Sequence, residues 1–389
     1  MSSFVVGQRI NHPEYGECTV TFVGEKRLGV VFDDGTDTMF MLQDFEACDT
    51  VDTEAASPAS RPVDWPDSTF VPESGEDRHS MGSHWVPFFD GPAELAMRLR
   101  NEILPESRPA CGFGEFYPAP RQEPDSWVKG EHRFWPLPRR GLLMTLRNGP
   151  GAVELVSLIP NVGEGIQVTL RLIEVSVWAS GVESQIHAAW LPAGNGSSGE
   201  AQGDDSEAGT PGPTAGFPIC FFDTRFLVNR AWYETGEQYE FILAGIAYHA
   251  RAATLMTLPY SPDPDQVAWE RLLAEKRGEP PPEIPDTIHF QGMAMFLALP
   301  EGDDDDYSFR GPARRVTPFD DMLGQKGWRI RVTVMRFDDE DADLDIFVTE
   351  RAWEGKEPPR EGQDIEGVLW LQGELWAAGD MARKAEAGR

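Results

Sequence analysis

ICFFDTRFLVNRAWYETGEQYEFILAGIAY, residues Ile219–Tyr248, reads as an apolar strand, a short polar corner and a second, longer apolar strand. The run LDIFVTERAWEGKEPPREGQDIEGVLWLQGELW, Leu344–Trp376, has the same order. Arg230-Ala231-Trp232 matches Arg351-Ala352-Trp353, Gly236 matches Gly362, and Ile242-Leu243 matches Val368-Leu369. Each run is preceded by a segment in which apolar and polar residues alternate, VTLRLIEVSVW (Val168–Trp178) and WRIRVTVMRF (Trp328–Phe337). Alternation of period two buries one face of a strand and exposes the other. Self-similarity of this kind marks a repeated folding unit. Two β-rich modules are therefore expected, over residues 85–258 and 287–377. VLWLQGELW is apolar on both faces, which fits a buried central strand whose tryptophans serve the core. About five curved strands per module would suit an OB-like barrel.

The totals agree with this organisation. The 38 glycines and 32 prolines in 389 residues favour short strands and turns over long helices, so the fold class expected is mainly β with a few helices. GPAELAMRLRNEI, Gly91–Ile103, is the best early helix, with Leu95, Leu99 and Ile103 at a spacing of four. Pro264–Arg277 is a second helical stretch within a Pro-rich linker spanning residues 259–286. Residues 47–84, rich in Pro, Ser and acids, read as a flexible linker with Trp65 or Phe70 pinned to a neighbour. Ala193–Gly216 reads as a low-complexity loop, and residues 378–389 as a tail.

A formal charge of −31 repels phosphate backbones, which argues against general nucleic-acid binding and suits a protein partner with a basic face. No apolar run reaches the roughly 18 residues a membrane span requires. The start, MSSFVVGQ, lacks the features of a secretory signal. Cys18, Cys48, Cys111 and Cys220 form no C-x-x-C pair, so a reducing cytoplasm is the compartment expected.

The first 46 residues form a unit of their own. Val20 and Phe22 share a face, Leu28–Phe32 runs back, and Asp33-Asp34-Gly35 is a hairpin signal. Gly7, Ile10, His12, Tyr15, Gly16 and Val20, then Val30, Phe32 and Gly35, follow the pattern G-x-x-V-x-H-x-x-F-G-x-G-x-V and V-x-F-x-x-G. This resembles the Tudor-like domain that closes UvrD-type helicases, with Cys18 in place of the second glycine of G-x-G. The resemblance implies a small β-barrel that docks on RNA polymerase in that family. It covers residues 1–46 and brings no helicase motor with it. Candidate protein-contact residues here are Glu14, Tyr15, Glu25, Arg27 and Asp37.

Signatures of catalysis are lacking. There is no phosphate-binding loop, no G-x-S-x-G elbow and no H-E-x-x-H. Asp223 and His249 are the best guesses for an enzyme of unrecognised type, although Asp223 also suits a turn cap. DDEDADLDIFVTE, Asp338–Glu350, places acids like a calcium loop, but Leu344 stands where that loop needs glycine. It is expected as a solvated acidic hairpin loop, and so is Glu301–Tyr307. His79 and His84 lack a third patterned ligand and read as surface residues. No catalytic, cofactor or metal site is expected. The function expected is that of a non-enzymatic, acidic interaction or adaptor protein. The alternative is a single-strand nucleic-acid-binding OB-like protein, which would use Arg310, Arg314, Arg315, Arg329, Arg331 and Arg336 as its basic stripe.

Overall fold

The computed structural model describes residues 9–12, 16–23, 27–32, 37–41, 69–72, 84–90, 92–110, 113–116, 119, 121–125, 127–137, 139–148, 153–192, 216–260, 280, 287–300, 302–337 and 340–378. The chain divides into two compact units, Met1–Pro62 with Ala201–Gly212, and Val63–Glu200 with Pro213–Arg389. The low-complexity loop up to residue 215, the Pro264–Arg277 helix, Trp65, His79 and the tail beyond residue 378 lie outside the described residues.

In the first unit, β1 (Arg9–His12), β2 (Gly16–Val23), β3 (Arg27–Phe32) and β4 (Asp37–Met41) pair in chain order as an antiparallel meander. The register sets His12 opposite Gly16 and Cys18 opposite Phe32.

The second unit begins with β5 (Phe70–Pro72), which adds in parallel to β10 (Ile166–Val177). Phe70 is buried against Trp127, so this end of the supposed linker is indeed pinned. A helix, α1 (Pro92–Arg98), opens on proline, where a missing N–H costs nothing, and runs on through a π-helical turn at Leu99–Ile103. Leu95 and Ile103 are buried on its inner side. An antiparallel sheet follows, of β6 (Arg108–Ala110), β7 (Gly130–Pro136), β8 (Arg140–Asn148) and β9 (Val153–Val162). A one-turn helix, α2 (Phe113–Phe116), lies between β6 and β7.

The large sheet holds β10, β11 (Ser184–Trp190), β12 (Phe217–Asp223) and β13 (Gln238–Ala252), with α3 (Phe226–Asn229) between the last two. After the small pair β14 (Thr257–Pro259) and β15 (Thr287–His289), it continues with β16 (Met295–Ala298), β17 (Asp306–Met322), β18 (Gln325–Phe337), β19 (Glu340–Thr349) and β20 (Asp364–Ala378).

Its pairings close on themselves twice. One circuit runs β10, β11, β12, β20, β13 and back to β10. The other runs β17, β18, β19, β13, β20 and back to β17. Each circuit has five strands, and both contain the antiparallel pair β13–β20. The free edge of β13 is divided: Gln238–Leu243 pairs with β10, and Ala244–Ile246 pairs with β19. The free edge of β20 is divided likewise between β17 and β12.

The repeat seen in the sequence is thus a repeat in space. Tyr239 faces Ala378 and Ala252 faces Ile365, and the alignment that sets Leu243 on Leu369 makes these two pairs images of each other. The turns entering β13 and β20 carry Gly236 and Gly362 at φ +88° and +79°, a backbone shape that disfavours residues with a Cβ. The two halves are nevertheless not separate modules. Each five-stranded circuit takes one strand from the other half, so residues 85–258 and 287–377 fold together. A strand of 15 residues, as β13 and β20 each are, is long enough to serve two circuits in succession.

Period-two geometry sends alternate side chains of the shared pair into two cores. Leu369 and Leu371 join the core within the circuits, with Phe221, Phe241, Phe309 and Ile346. Trp370 points the other way, into a second core with Trp85, Phe88, Leu95, Met144 and Phe347, under α1 and the β6–β9 sheet. This explains why VLWLQGELW is apolar on both faces. Trp353 is buried too, whereas Trp376 is 48% exposed and departs from that expectation.

Candidate functional site

The arginines of the basic stripe do come together, because β17 and β18 are neighbours and Arg315 sits opposite Arg331. Carboxylates meet them. Register sets Arg331 opposite Asp345 and Arg336 opposite Asp341, so opposite charges face each other across β18 and β19. Asp345 is buried and takes Arg331 Nε and Nη2 at 2.9 Å each, and Arg329 Nε at 3.0 Å. Burial pushes the Asp345 carboxyl up, but the bonds from Arg331 and Arg329 hold it below the ordinary carboxylate range. Arg329 also reaches Glu164 at 3.1 Å. Arg336 and Arg314 both bind Asp341. Arg310 is buried, donating to Glu366 at 3.0 Å and to the Leu255 carbonyl at 2.6 Å. Arg315 stands exposed.

The two acidic runs are not simply solvated loops: residues 302–305 do form a turn with Asp304 exposed, but other carboxylates of both runs are buried or paired. Glu340–Thr349 is the strand β19, and its alternating acids answer the alternating arginines and threonine of β18, with Thr333 donating to Asp343 at 2.7 Å. In the other run Asp305 is fully buried and accepts from Trp370 Nε1 at 2.9 Å, while Asp306 accepts from the Tyr248 hydroxyl at 2.5 Å. Burial pushes both carboxyls up. His84, expected at the surface, is buried with its ring 4.0 Å from that of Trp370, and burial lowers its pKa to about 4. An aromatic wall offered by the second core draws the imidazole in, which the loop-like composition around it does not reveal.

Of the candidate contacts in the first unit, Arg27 begins β3 opposite Met41, and Asp37 begins β4 opposite Val31. Glu14, Tyr15 and Glu25 lie outside the described residues.

The enzyme guesses fall apart in space. His249 is half exposed on β13, with Nδ1 3.8 Å from Glu354. Asp223 lies beside Gly373, which faces Leu243, six residues back along β13 from His249. At roughly 3.3 Å per residue, that is about 20 Å. Asp223 does cap its turn: Oδ1 accepts from the Arg225 N–H at 2.9 Å, and Oδ2 accepts from the Tyr233 hydroxyl at 2.6 Å. Burial raises its pKa to about 7 against those two bonds.

Around Asp223 is a polar centre that periodicity alone does not disclose. Arg225, Asn229 and Arg230 surround α3 and are all buried, with His132 of β7 also buried nearby. Arg230 donates to the Val128 carbonyl at 2.8 Å, pairs with Glu123 at 3.3 Å and lies over the Trp127 ring at 4.5 Å. Arg225 Nε stands 3.6 Å from Glu374 of β20. Asn229 Oδ1 accepts from the Gly114 N–H of α2 at 2.9 Å. The available signal was TRFLVNRAW itself, where four polar residues interrupt an apolar corner between two buried strands. Among the described residues, no group of three or more His, Cys, Asp or Glu could hold a metal ion. No described helix is long and apolar enough to cross a membrane.

The fold and these clusters define a mainly β protein built on two strand circuits with a shared pair. No protein-family model, curated protein or solved structure matches the chain.

Proposed function

We propose that this chain is a non-enzymatic, acidic interaction protein of the cytoplasm, an adaptor that offers a rigid β scaffold to a partner with a basic face. In this reading the two strand circuits are OB-like barrels, five-stranded and coupled through β13 and β20. The β1–β4 unit is a Tudor-like docking module, acting on a protein of the transcription or DNA-transaction machinery. The observation that carries the proposal is the neutralisation of the arginine stripe. Arg310, Arg314, Arg329, Arg331 and Arg336 all hold carboxylates of the same chain. Phosphates would have to displace those carboxylates to gain anything, and the remaining surface charge repels them. The same surplus of carboxylates steers a basic protein surface into register.

The test compares partners recovered by the full-length chain with those recovered by residues 47–389. Loss of a defined partner with the first unit supports docking through β1–β4. Identical recoveries refute it. In parallel, a labelled single-stranded oligonucleotide at low salt is expected to show no binding. A salt-sensitive complex would favour the nucleic-acid alternative.

A further inference from the structure

We propose that Cys220 is a peroxide-reactive thiol, activated by His187 and Glu174, which stand beside it in one row across three strands. Cys220 of β12 faces His187 of β11, and His187 faces Glu174 of β10. The side chains follow the register: Cys220 Sγ lies 3.7 Å from His187 Nε2, and that same nitrogen lies 4.0 Å from Glu174 Oε1. The proposal is independent of the adaptor reading, which uses none of these residues.

Local geometry explains how the row forms. Ile219 and Phe221 point into the core within the circuits, so period two turns Cys220 to the outer face of β12. Ile186 and Ala188 do the same for His187 on β11. On β10 the ladder passes from Leu172–Ala188 directly to Glu174–His187, so Ile173 is the extra residue of a bulge. Without the bulge Ile173 would stand opposite His187. A bulge re-aims the side chain that follows it, and here it brings a carboxylate to the imidazole. The Cys220 N–H donates to the Tyr307 hydroxyl at 2.7 Å, which fixes the backbone that carries the thiol.

The thiolate is the form that attacks, and a neighbouring imidazole supplies it by taking the thiol proton. His187 Nε2 is within reach of that proton, and Glu174 offsets the charge of the imidazolium that results. Exposure falls along the row, from 41% and 27% of the Glu174 and His187 side chains to 6% of Cys220 as a whole. The row thus opens to solvent at the imidazole, and the little-exposed sulfur suits a small oxidant over a bulky electrophile. In the reaction the thiolate sulfur attacks one oxygen of hydrogen peroxide: an S–O bond forms, the O–O bond breaks and hydroxide leaves. The imidazolium proton converts that hydroxide to water. Sulfur loses two electrons to the peroxide and becomes a sulfenic acid, which a small thiol reduces back.

The test exposes the full-length protein to hydrogen peroxide at pH 7, folded and unfolded in urea. Catalase stops the reaction, and the Cys220 thiol that remains is alkylated in denaturant and measured by mass spectrometry. An ordinary thiol of pKa about 8.5 is only about 3% thiolate at that pH, so the folded chain should lose the thiol at least about tenfold faster than the unfolded one. Dithiothreitol should restore it. His187→Gln should remove the acceleration. Glu174→Gln should slow the reaction about threefold, and Glu174→Asp, which restores the charge, should recover part of that loss. If His187→Gln fails to fold, the folded and unfolded wild type decide alone. A Cys220 that reacts no faster folded than unfolded overturns the proposal, and so does a folded His187→Gln protein that reacts like the wild type.

Discussion

Gly245 of β13 faces Leu371 of β20, and the alignment of the two repeats makes these residues equivalents of each other. Around this pair, from Leu243–Gly373 to Ala247–Leu369, and again at its two ends, the ladder reads the same from either strand. Phe222 of β12 lies beside Gln372, and Phe347 of β19 lies beside Ile246, the corresponding contact in the other circuit. Each half of the chain thus supplies the strand that completes its counterpart.

A polypeptide of residues 287–389 lacks β13 and so cannot close the circuit of β17, β18, β19 and β20. It is expected to show no cooperative thermal transition by circular dichroism. Co-expressed with residues 63–286, the two pieces should co-purify, because every pairing of β13 with β20 and β19 is then restored. Independent folding of the shorter piece would show that the circuits are separable.

Gly373 sits where β20 passes from one circuit to the other. A Cβ there would lie 2.5 Å from the Phe221 ring, which is itself buried. Gly373→Val should therefore destabilise the protein by about 3 kcal/mol or more, or prevent its accumulation. Urea denaturation measures the loss. A cost within experimental error would mean that the ring moves aside.

Asp345 is held from two sides, by Arg331 and Arg329. Asp345→Asn removes the charge beneath two guanidiniums that reach solvent, so the cost should be about 1–3 kcal/mol, smaller than for a wholly buried pair. The double variant Asp345→Asn with Arg331→Gln should cost less than the two single changes together, as a double-mutant cycle would reveal.

His132 makes a specific demand on pH. Burial, then the charges of Arg225 and Arg230, lowers its pKa to about 3, against 6.5 when unperturbed. The unfolded chain takes up that proton below pH 6.5 while the folded chain does not until about pH 3, so stability falls as pH drops through this window. His84, lowered to about 4 by burial, acts in the same direction. Asp223, raised to about 7, acts oppositely and adds stability as pH falls from 7 toward its unfolded range. His132→Gln removes one contribution. Between pH 7 and pH 5 the wild type should lose about 2 kcal/mol more than this variant in urea titrations.

Much of the architecture was legible in residues. The alternation in Val168–Trp178 and Trp328–Phe337 foretold β10 and β18, and the matched glycines 236 and 362 foretold the two turns. Leu95 and Ile103 foretold the buried side of α1. The polar centre at α3 was not legible. Its donors come from β7 and from a corner about a hundred residues later, and spacing along the chain carries no sign of that meeting. The acidic run of β19 misled because carboxylates look alike in a sequence whether water or arginine faces them.

The sequence by itself determined that this is a mainly β protein with an internal repeat and a large negative charge, because period-two patterning, turn glycines and ionisable groups act locally. Only the tertiary structure decided that the repeats share strands, that the arginine stripe is already neutralised, and that Arg225, Asn229, Arg230 and His132 are buried at one corner. Those outcomes depend on which strand edges pair and which charges lose water together, and edge pairing and desolvation are properties of the folded whole.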